Sequence, residues 1–264
     1  MVAAMDHLDL GLKDKVAIVT GGSEGLGLAC VQRLARCGAR VATCARRPDV
    51  LSAAASRIGR ETGADILALP ADVTRADDIA RFVDSVRARF GGVDILINNA
   101  GTSAAHAFAS IDDAAWQQDF ELKVLAAVRM CRLVLPLMQA RGGGAVINVT
   151  TIAGKAPTAR GLPTSLSRAA GINLTKALAC EYAAQQIRVN TICLGIVKSA
   201  QWQRRAPGDL ERFYADVAAA RQIPLGRVGE AEEFADLVAF LVSDRARYIT
   251  GTAINFDGGA AAVV

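Results

Sequence analysis

The chain has 264 residues, enough for one large α/β domain with a sizeable core and too few for a second independent one. Its net charge is only +4, with Lys and Arg interspersed among acidic residues, so it lacks the basic stripe that a nucleic-acid backbone requires. Aromatic residues make up 5% of a composition dominated by Ala, Val, Leu and Gly, which suits a packed sheet and excludes a disordered or fibrous chain.

From Lys15 onward, short β-branched runs alternate with longer segments of helical period. VAIVT (16–20) reads as a strand, and GLACVQRLARCG (27–38) as a helix ended by Gly38. RVATCA (40–45) is the next strand, followed by a helix around 49–60, the strand segment ILALPADV (66–73) and a helix over 77–90. DILINNAG (94–101) leads to one long helix near 112–140, and AVINVT (145–150) to another near 164–184. RVNTICLG (188–195), a helix near 230–242 and TAINFDGG (252–259) complete the series. Strands of nearly continuous apolar character, each followed by a helix, predict a Rossmann-type, doubly wound parallel sheet with helices on both faces. Residues 1–264 read as one domain, interrupted by a segment at 199–224 that carries Arg204, Arg205, Pro207, Gly208, Phe213 and Tyr214 and reads as a substrate lid.

The six cysteines, Cys30, Cys37, Cys44, Cys131, Cys180 and Cys193, form no CxxC pair and have no His at metal-ligand spacing; small buried thiols in a reducing compartment are expected, and no metal. MVAAMDHLDLGLKDK (1–15) has charges where a secretory leader needs an apolar run. No apolar run approaches the length of about 18 residues that spans a membrane. The expectation is a cytoplasmic protein with no membrane partner.

TGGSEGLG (20–27) follows the first strand and opens the first helix. Glycines at this place let the backbone turn sharply and approach a pyrophosphate, whose charge the helix N-terminus meets with its amides and dipole. Taken with ADV at 71–73, NNAG at 98–101, VN at 189–190 and DGG at 257–259, this spacing resembles the short-chain dehydrogenase/reductase family along nearly the whole chain.

The resemblance implies a dinucleotide held by Gly21, Ser23, Glu24, Gly25, Leu26 and Gly27 of the turn, with Asp72 and Val73 at the adenine. Asn99, Ala100 and Gly101 would lie along the cofactor, and Gly195, Val197 and Ser199 would contact its carboxamide end, although LGIVKS has Leu194 and Ser199 where the family usually has Pro and Thr. At the end of the second strand, where NAD-preferring relatives place a carboxylate, this chain has Ala45 followed by Arg46 and Arg47. Guanidinium groups pair well with a 2′-phosphate, which favours NADP(H). Glu24 argues for NAD(H), because a carboxylate there would repel the phosphate.

At the positions of the family's serine, tyrosine, lysine and asparagine stand Thr151, Thr164, Arg168 and Lys123. Thr151 keeps a hydroxyl donor, and Arg168 keeps a positive charge for the ribose but cannot release a proton near neutrality. Thr164 replaces the usual proton donor with a weaker acid. Lys123, if buried beside a cofactor, would titrate lower and become a candidate proton donor. Lys155, His106 and Tyr214 are further residues whose position could bring them to a substrate. These features predict an oxidoreductase acting on a small carbonyl, alcohol or activated C=C substrate with an altered catalytic tetrad. A nucleotide-binding sensor or partner subunit, or a non-redox lyase or dehydratase, is the alternative. Family members commonly assemble through their two long helices and C-terminal strand, which implies a homotetramer or homodimer.

Overall fold

The computed structural model describes residues 9–264 other than 205 and 207, and only the backbone of Gln201. Arg205 and Pro207, read above as part of the lid, lie outside the described residues, as do residues 1–8 of the charged N-terminus.

Strands β1 (Val16–Thr20), β2 (Arg40–Ala45), β3 (Ile66–Pro70), β4 (Ile95–Asn98), β5 (Gly144–Thr151), β6 (Ile187–Leu194) and β7 (Ala253–Phe256) form one sheet in the order β3-β2-β1-β4-β5-β6-β7. Every neighbouring pair is parallel. The order reverses between β1 and β4, and the crevice beyond the carboxyl ends of such a pair is where doubly wound sheets bind ligands. Helices α1 (Gly25–Arg36) and α9 (Ala231–Val242) cover one face; α3 (Ala76–Phe90) and α5 (Ala126–Ala140) cover the other. α2 (Pro48–Thr62) and α6 (Thr164–Tyr182) complete the two layers, with α6 packed on β5 and β6.

Alternation along β1 shows why the strands are apolar throughout. Ala17 and Val19 pack with Leu34, Ile58 and Phe234, while Val16 and Ile18 pack with Phe82, Val86 and Met130. A strand buried on both faces has no solvent side on which polar residues would be favoured. The turns that end α2 and α3 are glycine caps, Gly63 and Gly91, both at positive φ.

The segment read as one helix near 112–140 is divided. α4 (Asp113–Phe120) is followed by a π-helical turn (Glu121–Leu125) and then by α5. A π turn inserts one residue into the helix without ending it, which rotates the residues after it relative to those before. Lys123 lies inside that turn and is buried.

The segment at 199–224 contains α7 (Ala200–Gln203) and α8 (Leu210–Ala220). Its Tyr214, Ala218 and Ile223 form a small core with Val228, separate from the two that sandwich the sheet. Among the described residues, no helix is long and apolar enough to cross a membrane.

Candidate active site

The last residue of β1 ties the two loops of the crevice together. Thr20 Oγ1 accepts the backbone N–H groups of Asn99 and Ala100, each at 3.0 Å, and Asn99 Nδ2 donates back to Thr20 O at 2.8 Å and Gly21 O at 3.3 Å. Asn99 therefore braces the glycine-rich turn against the NNAG loop. Close approach makes Gly27 obligatory, since a Cβ there would lie 2.2 Å from Gly21 O. Glu24 caps α1 in an extended conformation without a side-chain hydrogen bond to the first turn, so those amides keep no carboxylate of their own.

Glu24 serves a different purpose. Its Oε2 receives Arg47 Nη2 at 2.5 Å and Arg204 Nη1 at 3.4 Å, one from just after β2 and one from the end of α7. The hydrogen bond from Arg47 holds the Glu24 carboxyl below its ordinary range. Arg46 is exposed and makes no ion pair among the described residues. Ser199, at the N-cap of α7, also approaches the turn, its Cβ lying 3.5 Å from where a side chain on Gly25 would begin. Ser23 and Leu26 are half-buried in the same turn.

Asp72 forms a local turn by accepting from Thr74 N at 2.9 Å and Thr74 Oγ1 at 2.8 Å, and Val73 beside it is buried. Gly195 lies so close to Asp257 that a Cβ would meet the Asp257 Cβ at 2.7 Å. Val197 is buried and bridges to the backbone of Gly229. Gly101 packs on α6, where an added Cβ would lie 2.5 Å from Arg168 Nη2.

Thr151 ends β5, and its hydroxyl is buried without a partner. Arg168, projecting from α6, donates from Nη1 to Val149 O at 2.7 Å and leaves its Nε buried and unpartnered. Burial pulls its guanidinium down to about 10, still charged at neutral pH. Polar groups orphaned in this way usually mark a place for a ligand or an ordered water.

Lys123 and Thr164 meet directly. The Lys123 side chain is 0% exposed, is ion-paired with Asp119, and donates from Nζ to Thr164 Oγ1 at 2.9 Å. Ala104 N donates to the same oxygen at 2.9 Å. Asp119 uses its other oxygen to accept from Ser167 Oγ at 2.6 Å. Burial lowers Lys123 to about 8; the hydrogen bond with Asp119 opposes that shift and the charge of Arg168 adds to it. Lys123, Arg168, Thr20, Asn98 and Ala100 line a cavity of about 20 Å3, room for roughly one water.

Asp119 and Ser167 were not singled out from the sequence. The available pattern was the i, i+4 spacing of Asp119 and Lys123, which places both on one helix face. The other residues considered make separate contacts. Lys155 donates to Ala253 O at 2.5 Å and to Asn255 Oδ1 at 2.7 Å, which ties it to β7. His106 is exposed and pairs through its backbone with Leu162. Tyr214 is buried in the small separate core with Ala218, Ile223 and Val228, under Lys198.

A family model described as enoyl-(acyl carrier protein) reductase matches residues 21–261. Dehydrogenase/reductase SDR family member 4 of Oryctolagus cuniculus is 34% identical over 254 residues, covering 94% of each chain. The chain belongs to the short-chain dehydrogenase/reductase family. Two structures of this family resemble it throughout. L-Sorbose reductase from Gluconobacter frateurii, complexed with NADPH and L-sorbose, is 36% identical with a TM-score of 0.93 and covers 97% of this chain and 100% of its own. An NADPH-bound short-chain oxidoreductase from Pseudomonas aeruginosa PAO1 containing an atypical catalytic center is 37% identical with a TM-score of 0.92, covering 96% of this chain and 100% of its own.

Proposed function

We propose that this short-chain oxidoreductase uses NADP(H) to interconvert a small carbonyl and alcohol, or to reduce an activated C=C bond, through an atypical active site. The observation that carries the reading is the pairing of two features at one end of the sheet. A glycine-rich turn that excludes any Cβ at Gly27 opens an α1 N-terminus without a side-chain cap. At the end of β5, two strands away, Thr151 Oγ1 is buried and unpartnered, as is Nε of Arg168 on α6. These are the groups that a bound dinucleotide and its substrate would satisfy.

Gly21 to Gly27 with Asn99 would hold the pyrophosphate side, and Asp72 and Val73 the adenine. Arg46 and Arg47 supply charge for a 2′-phosphate, and Arg168 supplies it for the nicotinamide ribose. When bound, the nicotinamide supplies or takes the hydride. Thr151 donates a hydrogen bond to the substrate oxygen as charge develops there. NADPH in both neighbouring structures supports the choice of dinucleotide. Glu24 does not overturn it, because Arg46, Arg47 and Arg204 together outweigh one carboxylate.

Calorimetric titration with NADPH and NADH, followed by absorbance assays with L-sorbose, ethyl acetoacetate and 2-cyclohexen-1-one, tests the proposal. Tighter binding of NADPH and its oxidation by one of the three are expected. Binding without oxidation would favour a sensor, a partner subunit or non-redox chemistry, and absence of binding would overturn the cofactor assignment.

The six cysteines are free thiols, which supports a reducing, cytoplasmic setting. Leu125 and Leu133 of the long helical segment and the terminal Val263 and Val264 are exposed apolar residues, which supports a homodimer or homotetramer through these surfaces. Light scattering showing a monomer would reject it.

A further inference from the structure

We propose that Asp119, Lys123 and Thr164 form a proton relay that takes the place of a tyrosine donor, with Thr164 as the group that touches substrate and Asp119 as a positioning residue. The proposal rests on the oxidoreductase reading above and assigns its proton route.

The geometry constrains each role. Lys123 has no exposed side-chain surface, so its ammonium reaches a substrate only through another group. Its contacts are Asp119, one helical turn earlier, and the hydroxyl of Thr164. That hydroxyl oxygen accepts two hydrogen bonds, from Lys123 Nζ and from Ala104 N, which occupy both of its lone pairs. The O–H proton is what Thr164 has left to give. An isolated threonine is a poor acid, but one whose oxygen is hydrogen-bonded by an ammonium can pass its proton on as it receives another, without carrying the charge of an alkoxide.

The π turn is what brings Lys123 to this place, because the inserted residue sets the direction of the side chain between Asp119 and α6. Asp119 is itself fixed by Ser167 of α6, whose hydroxyl donates to Oδ2 at 2.6 Å while Lys123 occupies Oδ1. The charged groups facing Lys123 are Asp119, which favours the ammonium, and Arg168, which opposes it. A lysine poised near neutrality by this balance is protonated enough to donate and weakly enough held to do so.

In carbonyl reduction, the substrate carbon gains the hydride of reduced nicotinamide and the C=O π pair moves to oxygen. That oxygen takes the Thr164 proton as Thr164 Oγ1 takes one from Lys123 Nζ. The ammonium becomes an amine and recovers its proton from solvent back through Thr164 Oγ1 after product leaves. Alcohol oxidation runs the same transfers in reverse and requires the neutral amine at the start.

The test uses the full-length protein with three variants: Thr164→Val, Thr164→Ser, and Lys123→Met combined with Asp119→Asn so that no carboxylate is stranded. Turnover is measured with whichever of the three carbonyl probes wild type reduces fastest, and NADPH binding reports the fold of each variant. Thr164→Val should bind NADPH normally and lose about a hundredfold in kcat or more, while Thr164→Ser retains most of it. The double variant should lose as much as Thr164→Val.

Independently of turnover, the 13Cε resonance of Lys123 in ligand-free protein should titrate near 8 and move lower in Asp119→Asn, where the ammonium has lost its counter-charge. The reductive rate should fall with rising pH across the same range, and its falling limb should move with the resonance. Wild-type turnover in Thr164→Val with intact NADPH binding, or titration of Lys123 above 10 as for a solvated lysine, would overturn the relay alone. Failure of wild type to oxidise NADPH with any probe overturns the oxidoreductase reading, and the relay with it.

Discussion

Two charged clusters flank the crevice, and they differ in burial. At the glycine-rich turn, Glu24 gathers Arg47 and Arg204 with all three side chains partly in water. Between the π turn and α6, Asp119 and Lys123 are almost wholly excluded from it. Solvent weakens the first set, so its partners exchange readily for an incoming phosphate. Exclusion of water does the opposite to the second, where each charge depends on the other and on neighbouring hydroxyls. One cluster is suited to receive a ligand, and the other holds a fixed geometry.

Removing a carboxylate from each cluster gives the largest contrast. Asp119→Ala leaves a buried ammonium without its counter-charge and should destabilise the protein by about 3–5 kcal/mol. Glu24→Ala should cost no more than about 1 kcal/mol. Urea denaturation of both variants measures the difference, and equal losses would abolish the distinction.

The next effect is in pH. Lys123 is held near 8, below its ordinary 10.5, so between those values the unfolded chain binds more protons than the native one. The contribution of Lys123 therefore makes unfolding free energy rise as pH increases across that window, by about 3 kcal/mol. Below the window the cost of burying the ammonium is fully present. Comparing unfolding of wild type with the Lys123→Met, Asp119→Asn double variant at pH 7 and 10 tests the contribution of the pair, which should vanish in the variant.

Smaller changes are expected at the glycine-rich turn. Arg47→Gln should weaken NADPH about tenfold while leaving NADH nearly unchanged, the scale of one charge-assisted hydrogen bond. Glu24→Gln should tighten NADPH by a few-fold, since it frees Arg47 and Arg204 and removes a repelling charge. Both differences should shrink as salt is raised, and calorimetry at two ionic strengths checks this.

The regular elements were legible because each depends on local chemistry. Gly38 appeared as a helix stop, and the strands' continuous apolar runs indicated a sheet covered on both faces. The segment at 199–224 also stands out in the sequence by interrupting the alternation, and it holds α7 and α8. The helix read across 112–140 shows the limit. Apolar residues recur through ELKVL as they do on either side, and a π turn differs from an α turn by one residue that periodicity over five positions does not resolve. Its direction comes from α6, which offers Thr164 to Lys123 and Ser167 to Asp119.

The glycine-rich turn illustrates the other case. Its glycines marked a close approach, but Glu24 read in isolation was only a charge that a phosphate would meet. Its pairing with Arg204 joins residues 180 positions apart.

The sequence by itself determined the parallel sheet, the family and the location of the glycine-rich turn, because periodicity, turn chemistry and motif spacing are properties of neighbouring residues. Tertiary structure alone decided which charges are buried and which hydroxyls they meet. Desolvation and hydrogen-bond partnership at Asp119, Lys123 and Thr164 exist only once α4, the π turn and α6 have closed against one another.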